Sequence, residues 1–180
     1  FDSHIRPYNE LEKCGDFLVL FETDDYFYWA IGDVGGHGTR SVGILAEMCT
    51  EILSENHSLD LQEGFDLLHN NSEIREKGMT LFLSRVYKKT TLIEYLAVGN
   101  VRVIYNRKGN LKELAIQEGI VGYIVPTVIN THLKKLHKGD IIVVGTDGVS
   151  LHADQLVGMC EESNKFQGTA EKVLERYHHQ

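Results

Sequence analysis

Ile31-Gly32-Asp33-Val34-Gly35-Gly36-His37-Gly38 is the stretch on which the fold turns. It follows an apolar, aromatic run, Tyr26-Phe27-Tyr28-Trp29-Ala30-Ile31, that reads as a strand. It opens into Thr39 to Glu55, where Val42, Leu45, Met48, Cys49, Ile52 and Leu53 recur at helical spacing, a core stripe rather than a cofactor box. A strand, a glycine turn and a helix start bring backbone groups and one carboxylate to the floor of a site. Glycine turns before helices usually cradle phosphate, because free N–H groups and the helix dipole favour an anion. Here no lysine follows the last glycine, and the spacing of Gly32, Gly35, Gly36 and Gly38 is not the dinucleotide fingerprint. Asp33 would repel a phosphate unless a cation lay between them. Two readings stay open on the loop alone. One is a site for a hard, oxygen-bound ion such as magnesium, manganese or calcium. The other is an ordinary turn in which Asp33 caps the following helix.

Upstream, Cys14-Gly15-Asp16 leads into Phe17-Leu18-Val19-Leu20-Phe21-Glu22, and Thr23-Asp24-Asp25 turns the chain back into Tyr26 to Ile31. Asp16 starts one arm of this hairpin and Asp33 ends the other, so the two carboxylates belong at the same end. Like charges so placed raise each other's protonation tendency unless they share a cation. Downstream of the first helix, Leu59 to Asn70 carries Leu61, Phe65 and Leu68, with Leu67 beside them, at helical spacing, and Asn70 to Lys77 is polar and reads as a loop, a natural place for mobility beside a site. The period then becomes that of strands: Thr80 to Tyr87, Thr91 to Val98, Val101 to Asn106 and Leu111 to Ile116, with a weaker alternation over Val128 to Leu136. Ile141-Ile142-Val143-Val144-Gly145 is a continuous apolar run, expected of a central buried strand, and it ends in Thr146-Asp147-Gly148-Val149. Ala153 to Ser163 and Gln167 to His178 read as helices. The fold class is α+β: an antiparallel β-sandwich flanked by helices.

The 180 residues suffice for one domain with a sizeable core, and the expected organisation is a single domain over 1–180. Lys+Arg 18 against Asp+Glu 26 gives a formal charge of −8, which disfavours nucleic acid and anionic membranes as partners. Cys14, Cys49 and Cys160 are widely spaced and lack C-x-x-C or histidine neighbours, so they indicate neither a disulfide framework nor zinc. No apolar run approaches the ~20 residues that span a bilayer, and the expected location is the cytoplasm.

Asp16, Asp33 and Asp147 share a property: each adjoins a strand end and has glycine beside it. Three carboxylates converging at strand ends suit two divalent ions in an open, hydrated site, whereas three unrelated turn aspartates are the plainer alternative. Four ordered motifs bear on the choice: Gly15-Asp16, Gly32 to Gly38, Gly78-Met79-Thr80 and Thr146-Asp147-Gly148-Val149. Together they resemble the metal-dependent serine/threonine protein phosphatases of type 2C, in their bacterial SpoIIE-like branch. The segment Ala97-Val98-Gly99-Asn100-Val101-Arg102 and the short length look most like the RsbX-type phosphatases of bacterial stress signalling.

The resemblance implies a two-cation site for Mn²⁺ or Mg²⁺, with Asp33 bridging both ions and the Val34 carbonyl contributing through the backbone. Asp147 would hold one ion, and Asp16 would act directly or through water. A metal-bridged water would attack the phosphorus of a phosphoserine or phosphothreonine. The implied substrate is a phosphorylated STAS-domain or similar protein of a stressosome-like, partner-switching circuit. The chain departs from the family in three places. Val34 stands where glycine is usual. His37 comes two positions later than the histidine of animal members, which fits helix-start packing or a solvent-facing role better than that of catalytic acid. Family members end in an Asp-Asp-x-Thr strand, and Tyr177-His178-His179-Gln180 stands about where it begins. Arg6, Arg40 and Arg102 are candidates for gripping phosphate. A catalytically weak binding module that docks to the same partners is the competing expectation.

Overall fold

The computed structural model describes residues 3, 14–36 and 39–148. Within them two antiparallel sheets face each other and helices cover the outer face of the larger sheet, the α+β sandwich expected from the sequence pattern. Strands β1 (Asp16–Glu22) and β2 (Tyr26–Val34) form the first hairpin. Helices α1 (Arg40–Glu55), α2 (Leu61–His69) and α3 (Ser72–Lys77) follow. Then come β3 (Met79–Tyr87), β4 (Leu92–Val98), β5 (Arg102–Arg107), β6 (Asn110–Glu113), β7 (His132–Lys135) and β8 (Ile141–Gly145). The larger sheet has the order β1-β2-β3-β4-β7 and the smaller β6-β5-β8.

Side-chain alternation builds two apolar layers from one sheet. On one face of the larger sheet, Phe17, Val19, Tyr28, Ala30, Val34, Leu81 and Leu83 pack against Val42, Leu45, Cys49 and Leu53 of α1 and Leu61, Phe65 and Leu68 of α2. On the other, Phe82, Ile93, Tyr95 and Trp29 meet Val103, Ile142 and Val144 of the smaller sheet. Strand β3 is therefore buried on both faces, which accounts for its unbroken Met79-Thr80-Leu81-Phe82-Leu83 run. The sequence reading gave that central place to Ile141–Gly145. Instead β8 pairs with β5 in the smaller sheet and every one of its residues is half-buried. A continuous apolar run marks a strand packed on two sides without saying in which sheet, and β3 is the one between helices and strands.

Gly32 lies on the helix-facing side opposite Phe17, whose ring folds over it. A Cβ there would fall 2.4 Å from Phe17 Cζ and 2.8 Å from the Thr80 carbonyl oxygen. Gly32→Ala is therefore expected to cost roughly 3 kcal/mol, the upper end of overpacking penalties, or about 6–12 °C in Tm for a chain of this size. Thermal unfolding of the variant checks this, and an unchanged Tm would refute the packing account.

The polar stretch Asn70–Lys77, read from sequence as a loop, contains helix α3. Asn71 caps it, its Oδ1 accepting from Glu73 N at 2.9 Å and Ile74 N at 3.3 Å, and Gly78 ends it at φ +72°. Its single apolar residue, Ile74, is buried. One anchor in six residues carries no period, and this explains the misreading. Between α1 and α2, the buried Arg85 guanidinium lies 4.5 Å from the Tyr26 ring centroid and donates to the His57 and Leu59 carbonyls, tying the interhelical turn to the sheet. Among the described residues no helix is long and apolar enough to cross a membrane. The sequence-predicted helices at 153–163 and 167–178, together with Arg6, His37, Cys160, His178 and His179, lie outside the described residues.

Candidate metal centre

Hairpin register decides where the carboxylates fall. Asp16 of β1 is the direct cross-strand partner of Asp33 of β2, and Thr80 of β3 partners Asp33 on its other side. Cross-strand partners share a face, so Asp16, Asp33 and Thr80 form one row on the inter-sheet side, at the end where Trp29 and Phe82 no longer fill the space. Asp33 thus ends a strand, and the first residue before α1 is Thr39, so the reading of Asp33 as a helix cap does not hold. The smaller sheet reaches the same end: Arg102 at the start of β5 pairs with Gly145 at the end of β8, and Asp147 follows two residues later. The β4–β5 turn joins the sheets there, and Asn100 in that turn donates from Nδ2 to Asp147 Oδ2 at 3.2 Å.

The electrostatics record how near the three carboxylates are. Burial first, then the charge of Asp16, then that of Asp147 push the Asp33 carboxyl up to about 7. Cys14 borders the cluster, its thiol donating to Asp16 Oδ2 at 3.0 Å, and burial followed by that hydrogen bond pushes the thiol up to about 12.

Gly15 fixes the remaining feature. Val34 N–H donates to the Gly15 carbonyl at 3.1 Å, and a Cβ on Gly15 would fall 2.7 Å from the Val34 carbonyl oxygen and 2.8 Å from Asp33 Oδ1. Those two oxygens border the space that the absent side chain leaves, with Val42 Cγ1 on its third side at 3.0 Å. The Val34 side chain itself is fully buried against the helices, so it points away from the space that its carbonyl borders. The Thr80 hydroxyl beside Asp33 is buried without a hydrogen-bond partner among the described residues. Carboxylate and carbonyl oxygens around a space that also orphans a hydroxyl fit a hard divalent cation and its hydration water. No three His, Cys, Asp or Glu side chains among the described residues close on one ion position. Any ion here takes the balance of its ligands from the backbone and from water, as magnesium commonly does.

The sequence reading named Asp16, Asp33, Val34 and Asp147, and the fold brings these residues to one end of the sandwich. It passed over Gly15, Thr80 and Asn100 as site residues although all three stand in the motifs that carried the resemblance. Their roles depend on cross-strand register and close approach, which spacing does not reveal. Of the candidate phosphate-gripping residues, Arg102 lies at this end opposite Gly145, and Arg40 is exposed at the first turn of α1.

A two-sheet antiparallel sandwich with helices on its outer face and carboxylates at one strand end is the architecture of PP2C-type phosphatases. The chain belongs to the SpoIIE family (stage II sporulation protein E), whose family model matches residues 23–179. Solved structures share the fold. One, from work on the bacterial stressosome, superposes with a TM-score of 0.83 at 23% identity, over 96% of this chain and 89% of that one. RsbX in complex with magnesium gives 0.75 at 19% identity, over 91% of this chain and 80% of its own. A serine/threonine phosphatase of S. agalactiae gives 0.75 at 16%, over 95% and 88%. No curated protein sequence matches the chain.

Proposed function

We propose that this chain is a metal-dependent protein serine/threonine phosphatase, one domain over 1–180, acting in the cytoplasm on a phosphorylated signalling protein. The observation that carries the reading is that Asp33 Oδ1 and the Val34 carbonyl border one space beside Gly15, within electrostatic reach of Asp16 and Asp147. Asp33, Asp16 and the Val34 carbonyl would hold a cation from the larger sheet, and Asp147 would hold one from the smaller. Asn100 donates to Oδ2 of Asp147 and ties that carboxylate to the β4–β5 turn. Bound there, two Mn²⁺ or Mg²⁺ ions lower the pKa of water and neutralise charge on the transferring phosphoryl group. The test is phosphate release from a phosphoserine protein with Mn²⁺ or Mg²⁺ and with chelator; metal-independent release would sink the reading.

The surface beside the carboxylates favours a protein substrate over a small metabolite. Val121 pairs with Met79, the partner of Val34, so the 117–125 segment lies against the strand ends of the site. It presents Ile120, Tyr123 at 76% exposure and Ile124 at 62%. Apolar groups gathered on one surface segment commonly mark an interaction site. The fold neighbours from stressosome work and the RsbU and RsbW domains of Rv1364c support a phosphorylated STAS-domain or similar partner-switching protein as the class of substrate. Tyr123→Glu is expected to raise KM for the phosphoprotein roughly tenfold, the loss of one good interface anchor, and to leave turnover of a small aryl phosphate unchanged. Equal effects on both substrates would remove the docking role. A catalytically weak module that binds the same partners is the second reading.

A further inference from the structure

At the far end of the sandwich from the carboxylates, Tyr105, Arg107, Asn110, Lys112 and Lys134 line a cavity of about 190 Å³. Register explains why these residues meet. Tyr105 and Arg107 alternate onto one face of β5, and their β6 partners are Lys112 and Asn110, so all four side chains share a face of the smaller sheet. Lys134 comes from β7 of the larger sheet, where it pairs with Ile93 of the inter-sheet core. The cavity is therefore the open margin of the layer between the sheets. Arg102 marks the carboxylate end of β5 and Arg107 the opposite end, five residues on, which at ~3.3 Å per residue is about 17 Å.

Three cations stand together on a chain whose net charge is −8. Arg107 is partly balanced: its Nε lies 3.8 Å from Oδ1 of Asp140, a carboxylate only 4% exposed. The Tyr105 hydroxyl donates to Asp140 Oδ2 at 2.6 Å and the His137 N–H at 2.9 Å. Burial raises the Asp140 carboxyl, but these donors and Arg107 outweigh it and hold the group below the ordinary carboxylate range. Asp140 thus braces Tyr105 and Arg107 of the cavity wall and offsets part of the Arg107 charge. Lys134 Nζ sits 3.9 Å from the Tyr105 ring centroid, held by the ring and not by a carboxylate, and Lys112 has no ion-pair partner among the described residues. Two ammonium groups with no carboxylate partner among the described residues, an arginine and an amide line one small volume.

We propose that this cavity binds a single compact oxyanion, a phosphate group or a carboxylate side chain, at a site separate from the carboxylate centre. Its volume matches one such headgroup and falls short of the ~300 Å³ and more that larger ligands occupy. On an acidic protein that repels acidic partners at long range, it is a local point where an anionic group is attracted instead of repelled. The site does not depend on phosphatase activity, so it can be tested without turnover.

The experiment is a titration of the isotope-labelled, metal-free full chain, followed by amide NMR, with sodium phosphate, with a short glutamate-rich peptide and with sodium chloride at matched ionic strength. Phosphate or peptide is expected to produce saturable shifts at residues 105–112 and 133–135, and chloride is not. Tighter binding of the peptide would assign the site to an acidic protein segment; tighter binding of phosphate would assign it to a free or ester phosphate. The double variant Lys112→Gln/Lys134→Gln, which keeps the side-chain length, is expected to weaken binding at least tenfold with the remaining spectrum unchanged. Shifts confined to the neighbourhood of Asp33 and Asp147, shifts that chloride reproduces, or binding unaffected in the double variant would each overturn the proposal.

Discussion

Replacing Asp33 with Asn is expected to reduce Mn²⁺-dependent phosphate release by on the order of a thousandfold, because it removes several kcal/mol of charge stabilisation supplied through bound cations. The substitution is isosteric, so packing around β2 is kept while the one carboxylate that faces both Asp16 and Asp147 loses its charge. Docking of the phosphoprotein partner is expected to survive, since it would fall on Ile120, Tyr123 and Ile124 and not on the carboxylates. The measurement pairs turnover of a phosphoserine protein with its binding to both forms of the chain, with circular dichroism to establish that each is folded. Wild-type turnover lost in the variant, with binding intact, establishes the phosphatase. Turnover that persists in the variant would remove Asp33 from the centre. A wild-type chain that binds and never turns over would establish the docking module.

That Asp16 and Asp33 lie at the same end was legible in the sequence because a hairpin brings the start of one arm to the end of the other. A turn placed at Thr23-Asp24-Asp25 brings Asp16 and Asp33 to the same end but would put Asp16 opposite Gly32; the observed register pairs Glu22 with Phe27, one residue further on, and so sets Asp16 directly opposite Asp33. Asp147 was legible for a weaker reason, since only the resemblance linked a strand end so distant in sequence to the first hairpin. Thr80 and Asn100 were not legible as site residues. Thr80 matters because β3 pairs with β2 in a register set across the helical segment between them, and Asn100 because a β4–β5 turn crosses between sheets. Helix α3 was hidden for a different reason. Its stability rests on caps at Asn71 and Gly78 and on one buried side chain, none of which produces a hydrophobic period. The strand β8 shows the converse limit: a strong local signal fixed the element and misplaced it among the sheets.

Metal affinity is expected to fall about a hundredfold between about pH 8 and about pH 5, because a cation must displace the proton that Asp33 carries below its raised pKa. That carboxyl is pushed up to about 7 by burial first and by Asp16 and Asp147 after it. Above 7 it is ionised and competent to bind; each unit below costs about a factor of ten. The same shift acts on the metal-free fold with the opposite sign. Between the ordinary carboxylate pKa and about 7 the folded chain holds a proton that the unfolded chain has lost, so stability declines as pH rises through that window. Metal-free wild type is therefore expected to melt at a lower temperature at about pH 8 than at about pH 5 so far as Asp33 governs it. Asp33→Asn, which has no proton to lose, removes that part of the decline. Added Mn²⁺ restores wild type at the higher pH and does nothing for the variant. Calorimetric Mn²⁺ titrations at the two pH values, with thermal melts of both chains beside them, check the two signs together. An affinity that does not change with pH, or a variant that melts like wild type at both values, would show that Asp33 neither carries the raised pKa nor binds the ion. The paired carboxylates would then be a structural feature of the hairpin and not the centre of a metal site.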